Sequence, residues 1–244
     1  IDGQNMFIGV TNDGSTNKFQ GYITDVRYVR GTDVYGVGNS SITIPTAPLT
    51  AITNTQFLTN FTNAGIIDHT GKNNLETDGN ARVQTQVTKF GTGSIYFDGD
   101  TTSGDQLETP KSINWAFGTG DFTVECFIYP IGNVTDARGI LGNRDSGSDT
   151  VWALHYYVNV TNQLHWHTGA TEVANSDGNL ITPNQWSHIA VARSGTTAKM
   201  YINGTQVTSW TDSYDYSTIH HLVIGDDIYT NVLNGYLDEI RITK

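Results

Sequence analysis

The chain is written as short runs of β-branched and aromatic residues separated by glycine and asparagine turns, and this pattern limits the folds it can adopt. None of the runs has the 3.6-residue apolar period of a helix. The eight clearest runs are 94–99, 122–130, 151–158, 163–169, 186–195, 198–207, 220–226 and 235–244. Many short strands bounded by turn residues are typical of an antiparallel β-sandwich, so the sequence predicts an all-β fold.

The run AKMYINGT (198–205) shows the pattern clearly. Met200 and Ile202 alternate with polar neighbours and are predicted to face the core. Asn203 and Gly204 supply the positive φ angles of a two-residue hairpin turn. In the preceding run, the same alternation places Trp186, His188, Ala190 and Ala192 on one face. We interpret His188 there as a hydrogen-bonded core histidine.

Charge and cysteine content exclude several classes of function. The net charge is −11, from 13 Lys and Arg against 24 Asp and Glu, so phosphate backbones and anionic lipids would repel the chain. We therefore expect no nucleic-acid partner. Cys126 is the single cysteine, so no intramolecular disulfide is possible, and its apolar neighbours predict a buried structural thiol. No apolar run is long enough to span a membrane as a helix, and no membrane insertion is expected.

One ten-residue pattern occurs twice, as GYITDVRYVR (21–30) and GYLDEIRITK (235–244). FIGV (7–10) and VIGD (223–226) form a second matching pair, and the spacing between the two elements differs by only two residues. Two matched strands in the same order indicate a duplicated domain. We expect residues 1–31 to be the last strands of a preceding repeat, 32–54 a linker or crossover, and 55–244 a complete domain. In each copy, the acidic and arginine residues two apart, such as Glu239 and Arg241, are predicted to pair on the outer face.

Several motifs in order resemble one family. They are GTGDFTVECFIYP (118–130), QWSHIAV (185–191), MYING (200–204) and GYLDEIRI (235–242). Together they resemble the laminin-G-like, concanavalin A-like antiparallel β-sandwich jelly roll over about residues 55–244. The linker IPTAPLTAITNT (44–55) and the stretches after it are similar to tandem repeats in virion proteins of marine tailed phages.

A calcium site is the first candidate site. Period-two alternation groups Tyr236, Asp238, Ile240 and Ile242, which places a carboxylate beside core residues, and a buried carboxylate needs a partner. The resemblance implies a structural Ca²⁺ held by Asp238 with loop oxygens near Asp98 and Gly99. Asp238 could instead cap neighbouring backbone amides. The earlier copy has Thr24 at the matching position, so the site need not occur in both copies.

A patch of aromatic and histidine side chains is the second candidate site. If 151–158 and 163–167 form a hairpin with Trp152, Leu154, Leu164 and Trp166 inward, the opposite face carries an exposed patch. Its candidate ligand-binding residues are His155, Tyr157, His165 and His167, with Arg144 and Asp145 in the loop before them. Such a patch could stack and hydrogen-bond a sugar, or the H-x-H pair could bind a transition metal. It could also be a solvated sheet face, and the reverse assignment would bury the histidines.

Catalysis is not expected. Jelly-roll glucanases carry Glu, Asp and Glu alternating along one strand, and this chain has no such run. The adjacent carboxylates of LDEI (237–240) point to opposite faces, Glu125 stands alone in its run, and no other catalytic motif occurs.

The sequence thus predicts a non-catalytic binding or adhesion module for a glycan or host surface component, on a phage virion appendage or extracellular surface. Tandem sister repeats would raise the avidity of weak sites. The alternative is a purely structural subunit, such as a spacer, a decoration or a strand-donating homo-oligomer, without a specific ligand.

Overall fold

The computed structural model describes the chain except residues 1–7, 9–18, 22, 24, 37, 39, 43, 48, 60–65, 67, 71, 103, 133–136, 146–148, 158–161, 179–180 and 228–230. The chain divides into two compact units, residues 1–65 and 66–244. The strand that begins at Thr55 lies in the first unit, where it pairs with the other strand of that unit. No helix among the described residues has the length and apolarity needed to cross a membrane.

The first unit contains two antiparallel strands, β1 (Val26–Val29) and β2 (Thr55–Thr59). Side chains next to β1 hold the segment before β2. The Asp25 carboxylate accepts a hydrogen bond from the Leu49 amide (2.9 Å), and Arg27 Nη1 donates to the Thr50 carbonyl oxygen (2.9 Å). The predicted pairing of Asp25 with Arg27 is therefore replaced by contacts from each residue to the linker backbone. Thr24 and most of FIGV (7–10) lie outside the described residues.

The second unit consists of two seven-stranded antiparallel sheets. Sheet I has the strand order β11-β10-β9-β8-β15-β6-β3, and sheet II has the order β14-β13-β12-β7-β16-β5-β4. The strands are β3 (Glu76–Asp78), β4 (Arg82–Gln84), β5 (Ser94–Asp98), β6 (Gln106–Glu108), β7 (Phe122–Pro130), β8 (Ala137–Arg144), β9 (Thr150–Tyr157), β10 (Gln163–Thr168), β11 (Thr171–Asn175), β12 (Ser187–Ser194), β13 (Thr197–Ile202), β14 (Thr205–Thr211), β15 (His221–Ile224) and β16 (Asn234–Thr243). A single 3-10 turn (Ile113–Trp115) lies between β6 and β7. The predicted all-β sandwich is confirmed.

Aromatic side chains fill the centre of the core. Trp152 and Trp166 stack with ring centroids 5.4 Å apart, and Phe117 and Phe122 stack on them at 5.2 and 5.7 Å. The indole N–H of Trp152 donates to the Trp115 carbonyl oxygen (3.0 Å), so this buried donor is satisfied. The inward face predicted for β9 and β10 is therefore correct.

The β13–β14 hairpin has the predicted turn, with Asn203 at φ 50° and Gly204 at φ 79°. The prediction for His188 is wrong. Ile189 and Val191 of β12 face the core, so His188 lies on the outer face, where Nε2 is 3.1 Å from the Glu125 carboxylate. Ala190 and Ala192 lie on the same outer face, and their small apolar side chains made that face resemble a core face in the sequence.

Strand β16 contains a β-bulge that the sequence pattern did not reveal. Asp238 pairs with Phe127 and Arg241 with Glu125, so β16 has one residue more than β7 over this interval. Leu237 faces the core. Strict alternation had predicted that Asp238 shares the face of Ile240 and Ile242, but the extra residue places Asp238 on the opposite face. The predicted outer pair of Glu239 and Arg241 is also wrong, because Arg241 Nε binds the Glu125 carboxylate across the strands (2.7 Å).

Candidate functional site

The second candidate site forms on the outer face of sheet I. Strands β9 and β10 pair so that His165 lies directly opposite His155. The His155 and His167 ring centroids are 4.7 Å apart, and the Tyr157 and His165 centroids are 4.1 Å apart. Four predicted ligand-binding side chains, those of His155, Tyr157, His165 and His167, are thus together, and we call them the histidine face.

The histidine face differs from the prediction in its exposure. The side chains of His155 and His165 are only 6% and 5% exposed, whereas Tyr157 and His167 are half-buried. The inner two rings are buried because the four rings pack against one another on adjacent strands. The predicted open patch is therefore a platform of Tyr157 and His167 above two buried imidazoles.

A loop after β15 approaches the same face and sets its shape. Gly139 pairs with His155, and its amide donates to the Asn231 carbonyl oxygen (2.8 Å). A Cβ atom at Gly139 would lie 2.2 Å from the carbonyl carbon of Asp226, so this backbone approach requires glycine. The loop backbone can therefore lie directly against β8, the strand that pairs with the strand of His155.

Burial shifts the pKa values of several groups on the histidine face. Burial, with neighbouring His167 and Arg144, holds the pKa of His155 well below its usual value, and burial also lowers the pKa of His167. Burial and Glu172 raise the pKa of Tyr157. Burial tends to raise the pKa of Glu172, but hydrogen bonds with Asn175 and His165 act in the opposite direction, and the pKa is lowered overall. Near neutral pH, His155 is therefore a neutral imidazole with one donor and one acceptor nitrogen.

Several nitrogens of the histidine face have no hydrogen-bond partner within the described part of the chain. They are both ring nitrogens of His155, both ring nitrogens of His165 and Nε2 of His167. Of these, His165 Nδ1 lies 2.8 Å from the Glu172 carboxylate, with which it forms an ion pair when the ring is protonated. A buried polar group without a partner costs about 1–3 kcal/mol, so the unpaired nitrogens mark a place where an external partner would bind favourably.

Arg144 and Asp145 separate at the end of β8. The Arg144 guanidinium donates to the Thr150 hydroxyl (2.8 Å) and lies 4.0 Å from the Asp227 carboxylate, next to the histidine face. Asp145 instead pairs with Lys111 and lies 3.2 Å from His220 Nδ1. Sequence reasoning missed Glu172 and His220. The adjacent histidines 220 and 221 and the aspartates at 145 and 149 were the available signal for the second group.

The residues predicted for calcium are not brought together. Asn234 pairs with Asp98 and Leu237 with Ile95, so Asp238 lies at the other end of β5 from Asp98 and Gly99, roughly 13 Å along the strand at 3.3 Å per residue. Asp238 Oδ2 accepts hydrogen bonds from the Lys89 and Phe90 amides (3.1 Å each). Of the two interpretations of Asp238, this contact set favours capping of backbone amides.

In the part of the chain that the structure describes, few groups of side chains could bind a metal ion or form a catalytic pair. Among the described residues, one group of three or more His, Cys, Asp or Glu side chains has ligand atoms within 4.8 Å of one another, namely Asp145, Asp149 and His220. The histidine face does not form such a group. Glu125 is engaged by Arg241 and His188 on the outer face of sheet II, and the buried Cys126 thiol has a pKa raised by burial.

The comparisons with known proteins agree with this architecture. Residues 100–244, more than half of the chain, match the laminin G family Laminin_G_3, which is described as the concanavalin A-like lectin/glucanases superfamily. The chain belongs to this superfamily, which confirms the predicted jelly-roll fold. Comparison with curated protein sequences gives no match.

Solved structures with the same fold share little sequence identity with this chain. Domain 4 of AbnA, a GH43 extracellular arabinanase from Geobacillus stearothermophilus in complex with arabinotriose, is 18% identical (TM-score 0.56), with 72% of this chain and 84% of that chain covered. The botulinum neurotoxin serotype D binding domain is 15% identical (TM-score 0.51; 76% and 45% covered). A botulinum neurotoxin type C structure, described as depending on two ganglioside molecules for cell entry, is 12% identical (TM-score 0.51; 70% and 43% covered). The chain thus spans less than half the length of the neurotoxin chains.

Proposed function

We propose that the second unit is a non-catalytic carbohydrate-binding module whose binding surface is the histidine face. The observation that carries this proposal is the half-buried platform of Tyr157 and His167 above the unpaired nitrogens of His155. An aromatic ring offers a flat apolar surface to the C–H face of a sugar. The imidazole nitrogens offer both a donor and an acceptor to its hydroxyl groups.

Charge and neighbouring residues support a neutral ligand. The low pKa values of His155 and His167 leave these two imidazoles neutral near neutral pH, and Arg144 at the edge of the face is balanced by Asp227. A site of this kind favours hydroxyl-rich molecules over strongly charged ones. An enzymatic role is less well supported, because Glu125 is engaged by Arg241 rather than facing a second carboxylate.

The fold relatives support the same class of ligand. The arabinanase domain was solved with arabinotriose, and the type C neurotoxin is described as interacting with gangliosides, which carry sugars. These likenesses show the fold and not the site, so the proposal depends on the residues of the histidine face.

The test is a titration of the full chain with arabinotriose and with a ganglioside oligosaccharide, followed by a broader glycan array. We expect binding to at least one array member, and Tyr157→Ala to weaken it by about tenfold or more, as for a central aromatic anchor. Tyr201→Ala is the matched control, because Tyr201 is a half-buried tyrosine of sheet II outside the histidine face. Binding that both variants lose equally, or that neither loses, would remove the histidine face from the proposal.

We further propose that residues 1–31 end a preceding repeat of the same domain. Gly21 and Gly235 have φ angles of 151° and 154°, and Asp25 and Glu239 have φ angles of 53° and 49°, so matched positions of the two patterns share unusual backbone conformations. A phage virion or extracellular surface is the setting we propose, on the sequence resemblance of the linker alone. A chain that bound no glycan but self-associated would favour the alternative, a structural or strand-donating subunit.

A further inference from the structure

A second cluster of polar side chains lies where β8, β9 and β15 meet, outside the histidine face. Its centre is His220, a residue that is only 7% exposed. His220 Nδ1 is 3.2 Å from Asp145 Oδ1, and Nε2 is 3.1 Å from Asp149 Oδ1. The imidazole is thus held between two carboxylates, one on each nitrogen.

In its neutral form, the His220 ring has one nitrogen without a proton. A neutral imidazole carries a single N–H, so only one of the two carboxylates can accept a hydrogen bond from it. Nε2 makes its contact with Asp149 within hydrogen-bonding geometry, whereas Nδ1 and the facing Asp145 Oδ1 are both buried atoms without a hydrogen-bond partner. Two electron-rich atoms at this distance repel each other unless a positive charge lies between them.

The neighbouring His221 faces the same oxygen. Its Nδ1 is 2.8 Å from the Thr109 carbonyl oxygen and 2.7 Å from Glu108 Oε1. A carbonyl oxygen and a carboxylate oxygen can only accept a hydrogen bond, so Nδ1 carries the proton in a neutral ring. The bare Nε2 is then directed at Asp145 Oδ1, 3.7 Å away. Asp145 Oδ1 therefore lies between the lone-pair nitrogens of two histidines.

The supporting contacts have the form expected around a bound metal ion. Ligating histidines usually donate their other N–H to a carboxylate or a backbone carbonyl, which fixes the ring orientation. Thr109 provides such a carbonyl for His221. Ligand atoms of Asp145, Asp149 and His220 lie within 4.8 Å of one another, close enough for modest side-chain rotations to place them around one ion.

We propose that this cluster binds a divalent transition-metal ion of the zinc type. Asp145, Asp149 and His220 are the proposed ligands, and His221 is the nearest further donor. Imidazole nitrogen with carboxylate oxygen suits zinc, whereas calcium selects oxygen ligands alone. Lys111 pairs with the other oxygen of Asp145, which leaves Oδ1 available to the ion. The site is distinct from the histidine face and does not depend on the proposed carbohydrate binding.

Zinc titration calorimetry of the full chain near neutral pH, after chelator treatment, tests the proposal. We expect one tight site, and a shift of the melting temperature to a higher value with zinc. His220→Gln should abolish the site. Asp149→Asn, at a side chain that is 63% exposed and so safe for folding, should weaken it about tenfold or more. Cobalt absorption of the wild type would report the nitrogen and oxygen ligand field independently of stability.

His167→Gln is the control, since it removes an imidazole from the histidine face and should leave zinc affinity unchanged. Zinc binding that is lost in His167→Gln, or kept at full strength in both Asp149→Asn and His220→Gln, would overturn the proposal. It would also be overturned if the wild type bound no zinc, and nuclear magnetic resonance would then be expected to show protons on both His220 nitrogens near neutral pH. In that case a second proton, rather than a metal ion, would separate Nδ1 from Asp145.

Discussion

At the scale of single residues, the second unit is unusual for the polar side chains that it buries on the outer side of a sheet. His155 is as inaccessible as many core residues, yet it points away from the core that Trp152 and Leu154 fill on the same strand. Such a residue lowers stability unless its nitrogens gain partners.

The buried imidazole predicts a loss of stability in mild acid. Burial lowers the pKa of His155 in the folded chain, whereas the unfolded chain has the usual value of about 6.5. Between the two values the unfolded state binds more protons, so the free energy of unfolding falls as the pH drops below about 6.5, by about 1.4 kcal/mol per unit of pKa difference. His155→Gln should flatten this slope in urea unfolding at a series of pH values. His69→Gln, at an exposed histidine, should keep the wild-type slope, and equal slopes in both variants would contradict the assignment.

The hydrogen bonds of Asp238 give a second prediction for a single residue. Because its carboxylate accepts three amide hydrogen bonds, Asp238→Ala should lower the free energy of unfolding by about 1–3 kcal/mol. The loss should be the same with calcium or with the chelator EGTA. The comparison is a pair of thermal melts, with Asp98→Ala alongside. A loss confined to the calcium-containing sample would restore the calcium interpretation.

Residue faces could be predicted from the sequence where large apolar side chains alternate with polar ones, as Trp152 and Leu154 do. They could not be predicted at His188, because alanines lie on its outer face and give no contrast. The sequence could not show that Asp145 lies beside His220, because the two residues are 75 positions apart (220 − 145) and are brought together only by the pairing of β8 with β15.

At the scale of elements, β16 shows how one extra residue changes a whole strand. The bulge at Glu239, with φ 49°, moves Asp238 off the core face, and a single-sequence pattern with period two has no means of showing it. The strands with strong apolar alternation, such as β7 at 122–130, were predicted with the observed bounds. Strand β8 was missed because its run ARGILGNR contains two arginines and two glycines, which are typical of a loop.

Gly235, near the start of β16, gives a stability prediction at the scale of elements. A Cβ atom at Gly235 would lie 2.3 Å from the Tyr129 carbonyl oxygen of β7, and the residue has φ 154°. Gly235→Ala should therefore lower the free energy of unfolding by more than about 2 kcal/mol. Gly195→Ala is the control, because Gly195 has φ 58° with open space around it and should show only the conformational cost of about 1 kcal/mol. Chemical denaturation measures both, and equal losses would mean that the close approach to β7 is relieved easily.

At the scale of the whole molecule, the two units differ in how much structure supports each. Among the residues that the structure describes, the first unit has one pair of strands, whereas the second has two large sheets around an aromatic core. A two-stranded sheet is marginally stable by itself, so the units should differ in local stability.

Hydrogen exchange should reveal this difference. We expect amides of β1 to exchange much faster than those of β7 and β12, whose side chains line the core. Mass spectrometry of the full chain, with peptides covering each strand, provides the measurement. Equal protection of β1 and β7 would contradict the prediction and would indicate that the first unit has support beyond its own strand pair.

Gly139 offers a way to compare the binding faces of other members of the superfamily. Only a residue without a side chain lets the backbone at Asp226 rest against β8, so the identity of this one residue reports the position of the loop. A relative with a larger residue at the matching position must hold its loop farther from the sheet, and its face should be wider and should admit a branched ligand. The residue type at this one position would then predict whether the matching face of a relative is narrow or wide before its structure is determined.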